Sequence, residues 1–227
     1  MALYDISGTI IATGGSTESS PIAGKRIALI GDSNTQYSAS ELKKYMEETY
    51  GCSFVPLGYA GATWETSNGA DTTDNSAVGR INSIVKNVDE NKLITEYDAI
   101  VIMMGTNCSN VGTLEDTSAN INTMCGAVRY CLEKLCYYGR HIPIGVILPI
   151  HRADETATEL PERFQHIEEI AKKFSVPVLN LYNEGRVIGD SLTPDGSNYY
   201  LTDSVHLGAN GISQVKRIMG KWIAYEM

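Results

Sequence analysis

No apolar run in this 227-residue sequence approaches the roughly 20 residues that cross a bilayer, which excludes a membrane-spanning helix. The opening stretch, MALYDISGTIIATGG, has no basic segment ahead of a long apolar core, so it does not read as a secretory signal. A cytoplasmic location is the default expectation, with export open to a chain that carries its own leader. Positive charge is scarce: 18 Lys and Arg against 27 Asp and Glu leave a net charge of −9. That argues against a partner in nucleic acid or on an anionic membrane surface. The five cysteines (Cys52, Cys108, Cys125, Cys131 and Cys136) are odd in number, without C-x-x-C spacing or clustered histidines. No zinc site is expected from them, and they read as small buried hydrophobes. The Gly-x-Gly-x-x-Gly pattern of dinucleotide binders is missing after RIALIG, and so is the Walker lysine loop. Phenylalanine is also rare, three against 13 tyrosines, a weak hint of polar surfaces.

What is present is an alternation. Residues 1–24 form an N-terminal piece: a short β segment with a Ser7-Gly8 turn, then the flexible linker TGGSTESSP. Residues 25–227 form the main domain. RIALIG is a continuous apolar run, as expected of a strand covered on both faces. SFVPL, DAIVIMMG, IPIGVILP and VPVLNL are further strand candidates, with Pro56 marking an end or a sheet edge. Between them lie helical spacings. Leu42, Tyr45, Met46 and Thr49 follow a Ser38/Glu41 capping box and end at Gly51. Ile81, Ile84, Val85 and Val88 give a second helix, and Ile121, Met124, Cys125, Val128, Leu132 and Leu135 a long third. Leu160 to Phe174 and Ile212 to Ile223 give the last two, with a polar loop over 182–206. Strands alternating with helices imply an α/β fold, a parallel sheet with helices on both faces. Such sheets bind ligands at the carboxyl ends of their strands.

The strand ends carry the chemistry. Gly31-Asp32-Ser33-Asn34 follows the first strand, Gly58-Tyr59-Ala60-Gly61-Ala62-Thr63 the second, and Gly105-Thr106-Asn107 the third. Asp203-Ser204-Val205-His206 stands before the last helix. A serine hydroxyl attacks a carbonyl only if a base takes its proton. His206 is the candidate base, and Asp203 could orient its ring through Nδ1–H. A tetrahedral intermediate needs hydrogen-bond donors aimed at its oxyanion, and the Ser33 and Gly61 amides with the Asn107 side chain are candidates. Singly these signals are weak. Gly-Asp-Ser is a common turn, Asp-x-x-His could be a loop cap or half a metal site, and Asn107 could be a turn residue.

Taken in order, IGDSNT, GYAGATW, MMGTNC and DSVH resemble the four blocks of the SGNH hydrolase superfamily, the GDSL-type esterases and lipases. The blocks span residues 31 to 206. The resemblance implies a flavodoxin-like three-layer α/β/α sandwich with a five-stranded parallel sheet. It also implies Ser33 as nucleophile, His206 as base, Asp203 as acid, and Ser33, Gly61 and Asn107 as oxyanion donors, with no metal or organic cofactor. One departure stands out: the third block of that family usually runs Gly-x-Asn-Asp, and here Cys108 replaces the acid. Cys108 as an alternative nucleophile has no histidine in its own block to activate it.

The expected substrate is a small-molecule or carbohydrate ester, most readily a short acyl (acetyl) ester, because no long apolar insertion offers a lipase lid. Longer acyl esters and thioesters, a carbohydrate-binding module without catalysis, and a flavodoxin-like cofactor binder are the rival readings. Asp32, Asn34, Tyr59, Trp64 and His151 are candidates for the substrate surface, with Tyr59 and Trp64 able to stack on a sugar ring. Arg152 and Asp154 could line the site beside His151. His141 reads as a loop residue and His166 as part of a solvated helix face.

Overall fold

The five apolar runs become five parallel strands. The computed structural model describes residues 3–4, 10–12, 19–67, 69, 73–86, 88, 93–154, 159–189, 192 and 194–227. Strands β1 (Leu3–Tyr4) and β2 (Ile10–Ala12) pair as a small antiparallel ladder. The expected Ser7-Gly8 turn, and all of the linker up to Glu18, lie outside the described residues. The main sheet contains β3 (Arg26–Gly31), β4 (Ser53–Gly58), β5 (Ala99–Met103), β6 (Ile144–Leu148) and β7 (Val178–Asn180), in the order β4-β3-β5-β6-β7. This is the flavodoxin-like order, whose chain reverses direction across the sheet beside the first strand. Pro56 falls on the edge strand β4, where a missing N–H is tolerated.

Side-chain alternation along each strand builds two cores. Ala28 and Ile30, with Ile100, Ile102, Val146 and Leu148, face α3 (Ala77–Val85), α4 (Met124–Tyr138) and α5 (Glu159–Lys173). Ile27 and Leu29, with Val101, Met103 and Ile147, face α2 (Ala39–Tyr50) and α7 (Ala209–Tyr225). Both faces of the sheet are thus covered, giving three layers. Each fully buried Ile or Leu contributes about 1.5–3 kcal/mol from leaving water. Two short helices complete the chain, α1 (Ser33–Tyr37) and α6 (Leu181–Glu184), the latter inside a stretch expected to be loop.

Helix starts differ from expectation where a side chain chose another partner. Ser38 precedes α2 but makes no side-chain cap there; its hydroxyl donates back to Asn34 O at the end of α1. The helix containing Cys125 begins after Thr123, whose hydroxyl accepts from the Gly126 N–H, so Ile121 lies ahead of it in a turn. Val88 and Phe174 sit just beyond the helices to which their spacing assigned them. Cys52, Cys108, Cys125 and Cys131 are buried free thiols. His166, expected on a solvated face, lies against α4 instead, with Nδ1 3.7 Å from Cys125 Sγ. His141 is exposed in the turn before β6.

Candidate active site

Register brings the motif residues to one edge of the sheet. Gly31 of β3 pairs with Gly58 of β4 on one side and with Met103 of β5 on the other. The three segments that follow these strands therefore leave side by side. Asp32 caps α1, its Oδ1 accepting the Asn34 N–H at 3.0 Å, which places Ser33 in the first helical turn. The α1 backbone lies directly over β4: a Cβ on Gly58 would stand 2.3 Å from Gln36 N. Only glycine permits that approach.

Ser33 meets a side chain from the far end of the chain. His206 Nε2 lies 3.0 Å from Ser33 Oγ, and His206 Nδ1 lies 2.8 Å from Asp203 Oδ2. Asp203 also builds the turn that presents the ring, because its Oδ1 accepts from the Val205 and His206 N–H groups, each at 2.7 Å. These three hydrogen bonds, led by that of the imidazole, hold the half-exposed Asp203 carboxyl down to about 2. The turn is fastened to α1 through Asn34, whose Nδ2 donates to Val205 O at 3.4 Å and whose Oδ1 accepts from Leu207 N–H at 3.0 Å. Ala153 N–H donates to Ser204 O at 2.8 Å and fastens it to the segment after β6. Tyr37, at the end of α1, sets its ring edgewise to His206, 4.9 Å between centroids.

Gly61 and Asn107 come together on the other side. Gly61 has φ +76°, a left-handed conformation that suits glycine, and the space where a Cβ would project is open. Asn107 Nδ2 donates to Ala62 O at 3.1 Å, joining the two segments. Gln36 Oε1 accepts the Ala60 N–H at 2.6 Å, joining this loop to α1. Beyond Gly61 opens a cavity of about 330 Å³ lined by Tyr59, Thr63, Asp74, Asn75 and Ser76 among others. Tyr59 is exposed at its rim.

Three residues expected on the substrate surface are placed elsewhere. Trp64 is fully buried, its indole N–H donated to Met104 O at 3.0 Å, so no ring face is left for a sugar. Asn34 is buried and spends its amide on the 205–207 turn. Asp32 is buried beneath the site. Burial raises its carboxyl to about 6, against the pull of the Asn34 N–H, the Thr106 hydroxyl and the His206 ring. His151 stacks on Tyr182 with 3.6 Å between centroids, and Arg152 turns to Asp154 in a two-bond pair at 2.8 Å. Cys108 is buried with its thiol pushed well up, first by burial, which disfavours the thiolate that attack requires. Gln36, Tyr37 and Glu65 escaped the motif reading, since each acts through a tertiary contact and none stands in a motif position.

The arrangement can move a proton from Ser33 Oγ to Nε2 while Asp203 fixes Nδ1–H. Among the described residues no group of His, Cys, Asp and Glu could hold a metal ion, and no helix is long and apolar enough to cross a membrane.

No protein-family model matches the chain, and no curated protein sequence does. Solved structures do. A protein from Lactobacillus plantarum is 18% identical with a TM-score of 0.69, over 91% of this chain and 99% of that one. A GDSL-like lipase from Bacteroides thetaiotaomicron is 16% identical with a TM-score of 0.57, over 89% of each chain. The inhibitor-bound aryl esterase of M. smegmatis is 14% identical with a TM-score of 0.59, over 88% of this chain and 98% of that one. Strand order, layering and these likenesses agree that the chain has the α/β fold of the GDSL-like lipases and esterases.

Proposed function

We propose that the chain is a serine esterase of the SGNH type. The observation that carries this reading is the continuous relay from Ser33 Oγ through His206 to Asp203, at 3.0 and 2.8 Å. Ser33 Oγ attacks the ester carbonyl as His206 Nε2 takes its proton. The carbonyl oxygen becomes an oxyanion facing the Ser33 and Gly61 N–H groups and the Asn107 amide. Collapse expels the alcohol, which receives the proton from Nε2, and leaves an acyl group on Ser33 Oγ. Water then repeats the sequence: His206 takes its proton, the hydroxide adds to the acyl carbon, and Ser33 regains its hydrogen as the acid departs. That similar structures carry the names GDSL-like lipase and aryl esterase supports the reaction class.

For the substrate we favour a short acyl ester, acetyl above all, of a carbohydrate. The polar cavity beside Gly61 and the exposed Tyr59 ring at its rim support a hydroxylated alcohol over a long apolar chain. The test is a panel of acetylated sugars beside aryl esters of graded chain length, run on wild type and Ser33→Ala. Turnover that falls with chain length and vanishes in Ser33→Ala is the expected result. Undiminished turnover by Ser33→Ala would sink the mechanism.

A further inference from the structure

Glu65 takes no part in the reaction as written, yet it is an acidic side chain in the interior, 8% exposed. A carboxylate is unfavourable out of water unless donors meet it. Glu65 Oε1 accepts a 2.8 Å hydrogen bond from the Ser109 backbone N–H, 44 positions away. Glu65 Oε2 is buried with no hydrogen-bond partner. The buried Cys108 side chain lies next to the same carboxyl. Three more bonds join the same two segments: Asn107 Nδ2 to Ala62 O at 3.1 Å, Trp64 N–H to Cys108 Sγ at 3.5 Å, and Trp64 Nε1–H to Met104 O at 3.0 Å. Residues 61–65 and 104–109 are thus stitched together, with Gly61 at one end and Asn107 within the other segment.

We propose that Glu65 is a positioning residue whose carboxylate fixes the Asn107 turn against the Gly61 loop and so sets the aim of both oxyanion donors. This rests on the esterase reading above. An amide nitrogen carries two hydrogens; with one of Asn107 held on Ala62 O, the other has a set direction. Donors displaced by an ångström lose much of their effect on rate.

The experiment compares Glu65→Gln, Glu65→Asp and Glu65→Ala with wild type, using aryl acetate kinetics and amide hydrogen exchange. Glutamine keeps an oxygen within reach of the Ser109 N–H, whereas the aspartate carboxyl is one methylene short. The Asp and Ala variants should lose about tenfold in kcat with KM held within about twofold, and Gln should stay within about threefold of wild type. Exchange over 104–109 should rise in the Asp and Ala variants while α7 stays protected. If Glu65→Ala does not fold, the Asp and Gln pair carries the comparison. Wild-type kcat and wild-type exchange in folded Glu65→Asp overturns the proposal, and so does a Gln variant as impaired as Asp. Should wild type cleave no ester and Ser33 resist a fluorophosphonate, the esterase reading fails. Exchange over 104–109 then decides the clamp alone, and an unchanged Glu65→Asp overturns it.

Discussion

His206 Nε2 and Ser33 Oγ stand 3.0 Å apart although 173 positions separate them in the chain. Two short polar segments make that contact, one capping a five-residue helix and one closing a turn on its own aspartate. Their mutual position depends on Asn34, which sits next to Ser33 and holds the histidine turn from both sides.

Ser33→Ala should lower kcat/KM for any cleaved ester by at least about 10³-fold, since the oxyanion donors alone retain only residual catalysis. Mass spectrometry after fluorophosphonate treatment should show one adduct on wild type, at Ser33, and none on the variant.

Asn34→Ala removes two hydrogen bonds to the 205–207 turn without touching the relay atoms. A fall of about 10–100-fold in kcat is expected, because a small misplacement of the base is heavily penalised. Faster amide exchange over 203–207, with the rest of the fold still protected, is the accompanying sign. Full activity in this variant would show that the turn needs no such anchor.

Asp203→Asn keeps the shape of the turn but cannot favour the Nδ1–H tautomer in the same way. Asp203 is half-exposed and water can partly replace it, so the expected loss in kcat is about 10²-fold, the shallow end for a triad acid. The sign of its pH effect is fixed by its depressed carboxyl. The stabilisation it lends is present above the ordinary carboxylate range and is lost only as pH falls toward about 2. Asp203 therefore stays charged from pH 5 to pH 9, and the acid limb of a kcat/KM profile belongs to other groups.

Asp32 has the opposite sign. Its buried carboxyl is raised to about 6, so the folded state holds that proton more tightly than the unfolded chain. The advantage is complete below about pH 4 and disappears as pH climbs through about 6; above that, the fold carries a buried charge at a cost of order 3 kcal/mol. Asp32→Asn should raise Tm by several degrees at pH 8 and by less at pH 5. A Tm gain that is the same at both values would contradict the assignment.

Gly58→Ala should destabilise the fold by about 1–3 kcal/mol, because the added methyl meets the backbone of α1, which cannot swing aside like a side chain. Chemical denaturation reads the change. Activity should fall with it, since the helix that moves carries Ser33.

The sheet was legible in the sequence because its strands are buried on both faces, and continuous runs such as RIALIG and AIVIM have few other readings. The strand-end residues were legible because β/α connections are short and set polar residues at the sheet edge. Less readable were residues whose type was right and whose direction was not. Trp64 follows the Gly61 loop, as a stacking residue would, yet its ring turns inward to Met104 O. Ser38 heads α2 in a capping-box pattern, but its hydroxyl found the carbonyl of Asn34 first. Glu65 has no periodic or motif signature at all; its role depends on Ser109, which only the crossing from β4 to β5 brings near. Pattern tells which face is buried, while long-range polar pairing is decided by tertiary geometry.

The Asp203 carboxylate both folds its own turn and holds the ring it serves, so residues 203–206 form a self-contained cassette. It plugs into the body through Asn34, Ala153 and Thr202 N–H, the last donating to His206 O at 2.8 Å. A part with so few sockets can be carried by connecting segments of differing length without redesign of the sheet. Truncating Asp203 would loosen the turn and the ring together, whereas truncating Asn34 would shift the block as a whole.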